Sequence, residues 1–197
     1  MTVGIMTGVV TVGAASAYLS IETAVLHNAI IPGSIGINLE EDEWKEDFGK
    51  NIMPGQEIPK NPRVQNVGRN ETWMFLKVGI PIRNICIVNP ATKRALPRQD
   101  TELFEFEASG RWQLISSQRE TDTMWYVYGF QDSVKPEGRT DCLFEKIKAV
   151  SYLEGEINET ESLTIPVTAQ AVQKISGEEE DLKIIYQTYL SQEKGGV

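Results

Sequence analysis

The chain has 197 residues, with 28 acidic and 19 basic side chains, one histidine, two cysteines and 41% hydrophobic content. This profile fits one mid-sized globular domain and excludes long-range disorder. A net charge of -9 and a pI near 4.8 leave no basic field to release counterions from phosphate, which argues against nucleic acid and anionic membrane surfaces as partners. His27, Cys86 and Cys142 are too few to close a structural zinc site unless carboxylates fill in, and neither HExxH nor CxxC spacing occurs.

Val3 to Tyr18 reads VGIMTGVVTVGAASAY, an uncharged stretch of about sixteen residues, short of the roughly 20 that a helix needs to cross a bilayer. It has the character of a secretory h-region. Ala15 and Ala17 supply the small side chains that a signal peptidase pocket accepts. Cleavage after Ala17 then leaves Tyr18 as the mature N-terminus and no stable membrane span. Residues 1–17 are thus a signal-like segment, and 18–197 a single domain. Met1 to Met6 lacks the Lys or Arg of a usual n-region. The competing reading of these residues is a buried strand, Val9 to Val12.

Beyond Tyr18 the apolar pattern has period two with turn residues between short runs, the signature of an antiparallel all-β domain. Ile30 to Leu39 places Ile35, Ile37 and Leu39 on one face, and the acidic run Glu40 to Trp44 is expected to end that strand as a solvated loop, with a calcium site as the alternative. Pro54-Gly55 fits the centre of a type II turn, followed by an extended segment from Glu57 to Val67. Trp73 to Ile82 is apolar on both faces and predicts a strand inside a sandwich. Pro81 has no N–H for a ladder, so it marks an edge, bulge or exit. Phe104 to Ala108 and Trp112 to Ser116 are expected to form a hairpin through Gly110 at positive φ. Met124 to Phe130, Cys142 to Val150 and Leu163 to Val172 complete at least seven strands.

The C-terminal segment changes period. Leu182, Ile185, Tyr186 and Tyr189 recur at helical spacing, and Ser176 followed by Glu179 matches a capping box, so an amphipathic helix is expected from near Gly177. Glu178 to Asp181 suits the positive end of its dipole.

Four stretches carry a resemblance: Ala17-Tyr18-Leu19-Ser20 running to Asn28 through Ile35; Met53-Pro54-Gly55-Gln56 to Asn66-Val67-Gly68 and the strand from Trp73; Trp125 to Tyr128 through Gly138-Arg139-Thr140 to Leu143-Phe144; and Ile165 to Val172. In this order they resemble the TasA/camelysin family of secreted Gram-positive proteins over nearly the whole chain. Leu19 stands where the family has Phe, and Ser20-Ile21-Glu22-Thr23 replaces its acidic stretch. The resemblance implies a jelly-roll-like β-sandwich with short helices, exported through a dedicated signal peptidase to the cell surface or biofilm matrix. It further implies, as in fibre-forming members, assembly by strand exchange with another copy or a related matrix subunit. The donor candidate lies within residues 18–28, with Tyr18, Leu19, Ile21, Ala24 and Leu26 as its strand and pocket-filling residues. The residues themselves also fit an N-terminal strand folded back into its own sandwich.

Some members of that family are described as metalloproteases, but the residues here do not assemble such a site. His27 is the only imidazole, a hydrolytic zinc takes about three protein ligands and a nearby base, and a serine or cysteine nucleophile needs a histidine base. No catalytic residue, metal ligand or cofactor is therefore assigned. Cys86 and Cys142 are read as a disulfide or as two free thiols. Asn70-Glu71-Thr72 and Asn158-Glu159-Thr160 match the glycosylation sequon and are read as turn chemistry. The rings of Trp112, Trp125, Tyr126, Tyr128 and Phe130 are open to two readings, core and cross-strand pairs or a sugar-binding platform on a monomeric surface module.

Overall fold

The computed structural model describes residues 20–23, 35–43, 52–89, 91–157, 163–175, 177 and 181–195. The long apolar run forms β5 (Thr72–Ile85), and the molecule is organised around it. Its register pairs it antiparallel with β11 (Val167–Gln173) on one side and β9 (Thr123–Phe130) on the other. β1 (Ser20–Thr23) adds to β11 and β8 (Trp112–Glu120) to β9, giving the order β1-β11-β5-β9-β8. A second layer holds β3 (Glu57–Pro59), β10 (Lys146–Ala149) and β7 (Phe104–Phe106), with β2 (Ile37–Glu40) paired to β4 (Arg63–Asn66). The result is an antiparallel all-β sandwich with a C-terminal helix, α1 (Leu182–Gly195).

β5 is apolar on both faces because each face has its own cover. Met74, Leu76, Val78 and Ile80 enter the core between the layers with Ile58, Phe144, Ile147 and Ala169. Trp73 and Phe75 lie on the other face with Val127 and Val172, beneath Leu182, Ile185, Tyr186 and Tyr189 of α1. Burying each such aliphatic or aromatic side chain contributes about 1.5–3 kcal/mol. The helix face anticipated from spacing is therefore the buried one. Its start differs: α1 begins at Leu182 rather than near Gly177, because Asp181 Oδ1 accepts from the Lys183 N–H at 2.8 Å and supplies the N-cap. Gly177, at φ 81, belongs to the turn before it.

Pro81 does not end the strand, which runs on to Ile85; its missing donor falls where the partner on one side of β5 changes. Gly79 N–H donates to the Pro166 carbonyl, and two residues later the Pro81 carbonyl accepts from Leu103 N–H. β6 (Gln99–Glu102) thus takes up the β5 edge where β11 leaves off. Gly79 is required there, since a Cβ would stand 2.8 Å from the Pro166 ring and 2.9 Å from Trp125.

The expected turn at Pro54-Gly55 forms, with Gly55 at φ 76 and Gln56 N–H donating to Met53 O at 3.1 Å. The expected hairpin through Gly110 does not. β7 pairs with β10 and β8 pairs with β9, so the two segments lie in different sheets. Ser109 N–H donates to Leu143 O and Trp112 N–H to Ser109 O, which carries the chain between layers; Gly110 is not at positive φ. The hairpin in this region is β8–β9, closed by Thr121-Asp122 with Thr121 at φ 50. A β-branched residue there is strained. Thr121→Gly is expected to raise stability by about 1 kcal/mol, read as a higher urea midpoint with unchanged slope.

The acidic run is not a solvated loop at its start. Glu40 belongs to β2 and Glu41 follows it, and both carboxylates are largely buried against Arg63 and Lys60 at 3.0 and 2.8 Å. Asp42 also pairs with Arg63. These basic partners meet the acids that a calcium reading requires as ligands.

Candidate functional site

The strand β11 reads VTAQAVQ, and its small residues admit close neighbours on both sides. Because Pro166 O accepts from β5, the backbone groups of Thr168, Gln170 and Val172 turn toward β5. Those of Val167, Ala169 and Ala171 turn the other way, to the strand at the edge. That strand is β1, with Ser20 opposite Val172, Ile21 opposite Ala171, Glu22 opposite Gln170 and Thr23 opposite Ala169. The N-terminal segment of this single chain therefore lies against its own sandwich. Of the donor candidates, Ile21 is in this strand; Tyr18, Leu19, Ala24 and Leu26 lie outside the described residues, as do Ala15 and Ala17 of the cleavage site.

The opposite edge of the same sheet is built differently. β8 is long and exposed, yet the register shifts between Leu114 and Ser116 and its last residues are Arg119 and Glu120. A bulge and terminal charges are the usual means of discouraging strand addition. At the β11 edge a four-residue strand is the cover.

The anticipated aromatic set divides between the two faces of β9. Trp112 and Phe130 are buried with ring centroids 5.2 Å apart. Tyr126 and Tyr128 face the second layer, where Phe106 stands 5.9 and 6.0 Å from them. Trp125 points the other way, 4.5 Å beneath the Lys77 ammonium. The rings thus serve core and cross-strand packing rather than one continuous platform. Tyr126 and Tyr128 also line a hollow of about 500 Å³ with Asp100, Glu102 and Phe106.

In that hollow the Tyr126 hydroxyl donates to both Glu102 oxygens, at 2.9 and 3.0 Å. Burial, then the hydrogen bond and charge of Glu102, pushes Tyr126 up to about 12 from 10.0. The proton is held more tightly in the folded state, so this contribution is complete below about pH 10. It is lost as pH rises to about 12, where the unfolded tyrosine has already ionised. Tyr126→Phe should flatten the alkaline fall in stability over that window, measured by urea midpoints at a series of pH values.

Cys86 and Cys142 are both free thiols and both half-buried, so the disulfide alternative is not realised. Cys86 follows β5, with its carbonyl accepting from Leu153 N–H. Cys142 lines a separate groove of about 980 Å³ with Arg63, Phe144 and Lys146, and burial and the nearby Glu145 raise its pKa. The first sequon leads into β5: Asn70 O accepts from the Asn66 amide and Thr72 is buried and paired to Val134. Asn158 and His27 lie outside the described residues. Among the described residues no group of three or more His, Cys, Asp or Glu side chains is placed to hold a metal ion, and no helix is long and apolar enough to cross a membrane. Compared with known proteins, the chain matches no family model, no curated protein and no solved structure.

Proposed function

We propose that the chain is a secreted structural protein of the TasA/camelysin type, a cell-surface or biofilm-matrix subunit that joins copies of itself by exchanging its N-terminal strand. The observation that carries this reading is the asymmetry of the main sheet. One edge, β8, is guarded by a bulge and charge, while among the described residues the other is covered by the four-residue strand β1 near the start of the mature chain. A strand that leaves β11 uncovers outward backbone groups at Ala169 and Ala171, and the same segment of a neighbour restores those bonds. Among the described residues, β5, β9, β10 and α1 supply the buried side chains of the sandwich beneath.

On this reading the signal-like residues 1–17 are removed on export, and the partner is another copy or a related matrix subunit. No enzymatic step is assigned to the chain. The test is to express residues 18–197, concentrate the protein at neutral and mildly acidic pH, and follow it by light scattering and negative-stain microscopy. Acid reduces the net charge of -9 that holds subunits apart. Regular filaments are expected, and deletion of residues 18–26 should leave a folded, soluble monomer that never elongates. A chain that stays monomeric under every condition overturns the reading and favours a surface binding module.

A further inference from the structure

Tyr126 and Tyr128 stand two residues apart in β9, so both rings leave the same face of the strand, and both remain partly exposed. Phe106 of β7 meets them from the second layer. Its ring is perpendicular to that of Tyr126, at 89° and 5.9 Å, and inclined at 64° to that of Tyr128, at 6.0 Å. The buried Phe144 packs against Phe106 with centroids 4.6 Å apart and holds it in place. The hollow of about 500 Å³ that these rings line is within the roughly 300–1,000 Å³ of small-ligand sites. Its charge has one sign: Asp100, Glu102 and Glu105 line it, and among the described residues no lysine, arginine or histidine does. Asp100 is paired with Arg119 at 2.6 Å, whereas Glu102 and Glu105 form no ion pair among the described residues. After burial, the charge of Glu102 helps to raise the pKa of Tyr128 as well as that of Tyr126, so its negative field reaches both rings.

We propose that the hollow between Phe106, Tyr126, Tyr128 and Glu102 binds an N-methylated ammonium ion of the choline kind. Aromatic faces attract a cation through their quadrupoles, and faces set at steep angles enclose a compact one. A flat sugar ring, by contrast, stacks on a single open face. Methylation matters because a bare ammonium has to regain three hydrogen bonds on leaving water, and both Glu102 oxygens already accept from the Tyr126 hydroxyl, at 2.9 and 3.0 Å. Methyl groups need no acceptors and bury against the rings and the apolar lining of Ile87 and Val150. The carboxylates restrict the ligand further. Glu102 and Glu105 attract the cation but repel a phosphate attached to it, so free choline suits the hollow better than phosphocholine. Binding here does not depend on strand exchange at β11, which lies on the other side of β5 from β9.

The test is titration of the full chain with choline chloride, at ionic strength held constant with sodium chloride, followed by nuclear magnetic resonance at the amides of Ile87 and Val150. Saturable shifts with a Kd of about 1–10 mM are expected. The neutral carbon isostere of choline, dimethylbutanol, separates charge from shape. It should bind at least about tenfold more weakly, and equal binding overturns the cation assignment. Phosphocholine should also bind more weakly than choline; tighter binding overturns the part given to Glu102 and Glu105. Ammonium chloride that binds more tightly than choline overturns the preference for methyl groups. Shifts with glucose and none with choline make the hollow a sugar site and overturn the proposal, as does the lack of any saturable shift up to ~50 mM choline. Glu102→Gln keeps the shape and an acceptor for Tyr126, and should weaken choline binding about fivefold. Tyr128→Leu should weaken it about tenfold, while Tyr126→Phe, which keeps the ring, should stay within about twofold of the parent. Choline affinity unchanged in both Glu102→Gln and Tyr128→Leu contradicts the site.

Discussion

Phe75→Ala is expected to lower the stability of the chain by about 3–5 kcal/mol, the range for truncating a buried aromatic ring, and to loosen α1 from the sheet. Phe75 is 0% exposed, and its ring lies 5.1 Å from that of Tyr186. Trp73, Val127, Val172, Leu182 and Ile185 complete the cluster. Gly129 beside it shows how closely the ring is held, since a Cβ there would stand 3.0 Å from Phe75 and 3.2 Å from Leu182. The cavity left by alanine lies between a helix and a sheet, so part of the loss should appear as fraying of α1. Urea denaturation followed by far-ultraviolet circular dichroism checks both effects. Ile184→Ala, on the outer side of the same helix and 46% exposed, should change stability by no more than about 0.5 kcal/mol.

Glu41→Ala is expected to cost about 1–3 kcal/mol, because it removes a carboxylate that accepts a charge-assisted hydrogen bond from a buried ammonium. Lys60 is 4% exposed as a residue, and its Nζ donates to both Glu41 oxygens at 2.8 Å. The pair ties the segment after β2 to the connection between β3 and β4. Nearby, Asn61 Oδ1 accepts from Glu43 N–H at 3.1 Å. Removing the Glu41 carboxylate weakens the compensation of a buried charge, whereas replacing both with apolar side chains removes the desolvation cost as well as the attraction. The double variant Glu41→Leu with Lys60→Met should therefore recover most of the stability lost in Glu41→Ala, measured by denaturation midpoints of all four combinations.

Much of the fold was legible because local pattern and tertiary role agree. Trp73 to Ile82 is apolar on both faces and lies between two covering layers, and Leu182, Ile185, Tyr186 and Tyr189 form the buried face of α1. Pro54-Gly55 has the chemistry its turn demands. The misreadings fall where a partner distant in sequence decides. Ser109-Gly110 has hairpin composition, but Phe104 and Phe106 find their register against Ala149 and Ile147 of β10, which spacing along the chain does not reveal. The β8–β9 hairpin was hidden because Thr121 takes a backbone conformation that glycine or asparagine usually signals. The acidic run is charged enough to read as solvated, and only the fold brings Lys60 and Arg63 against it.

At the edge of the sheet, the resemblance implied Tyr18 to Leu26 as a donor strand, and the residues alone fitted equally a strand folded back on its own sandwich; in the fold, Ser20 to Thr23 pairs with β11 of the same chain. Gln170 was unremarkable in sequence, one polar residue in an alternating strand; its burial against the Tyr189 hydroxyl is visible only in the fold. The second edge likewise owes its protection to a bulge between Leu114 and Ser116 that composition does not announce.

The central claim is that copies join at the β11 edge, and hydrogen exchange at Ala169 and Ala171 tests it most directly. Both amides turn toward the edge strand, where among the described residues β1 pairs with them. The account predicts slow exchange at both in assembled protein, and fast exchange at both in a monomer lacking residues 18–26, with the β5-facing amides of Gln170 and Val172 slow in each case. Assembled protein in which Ala169 and Ala171 exchange as fast as in that truncated monomer would contradict it.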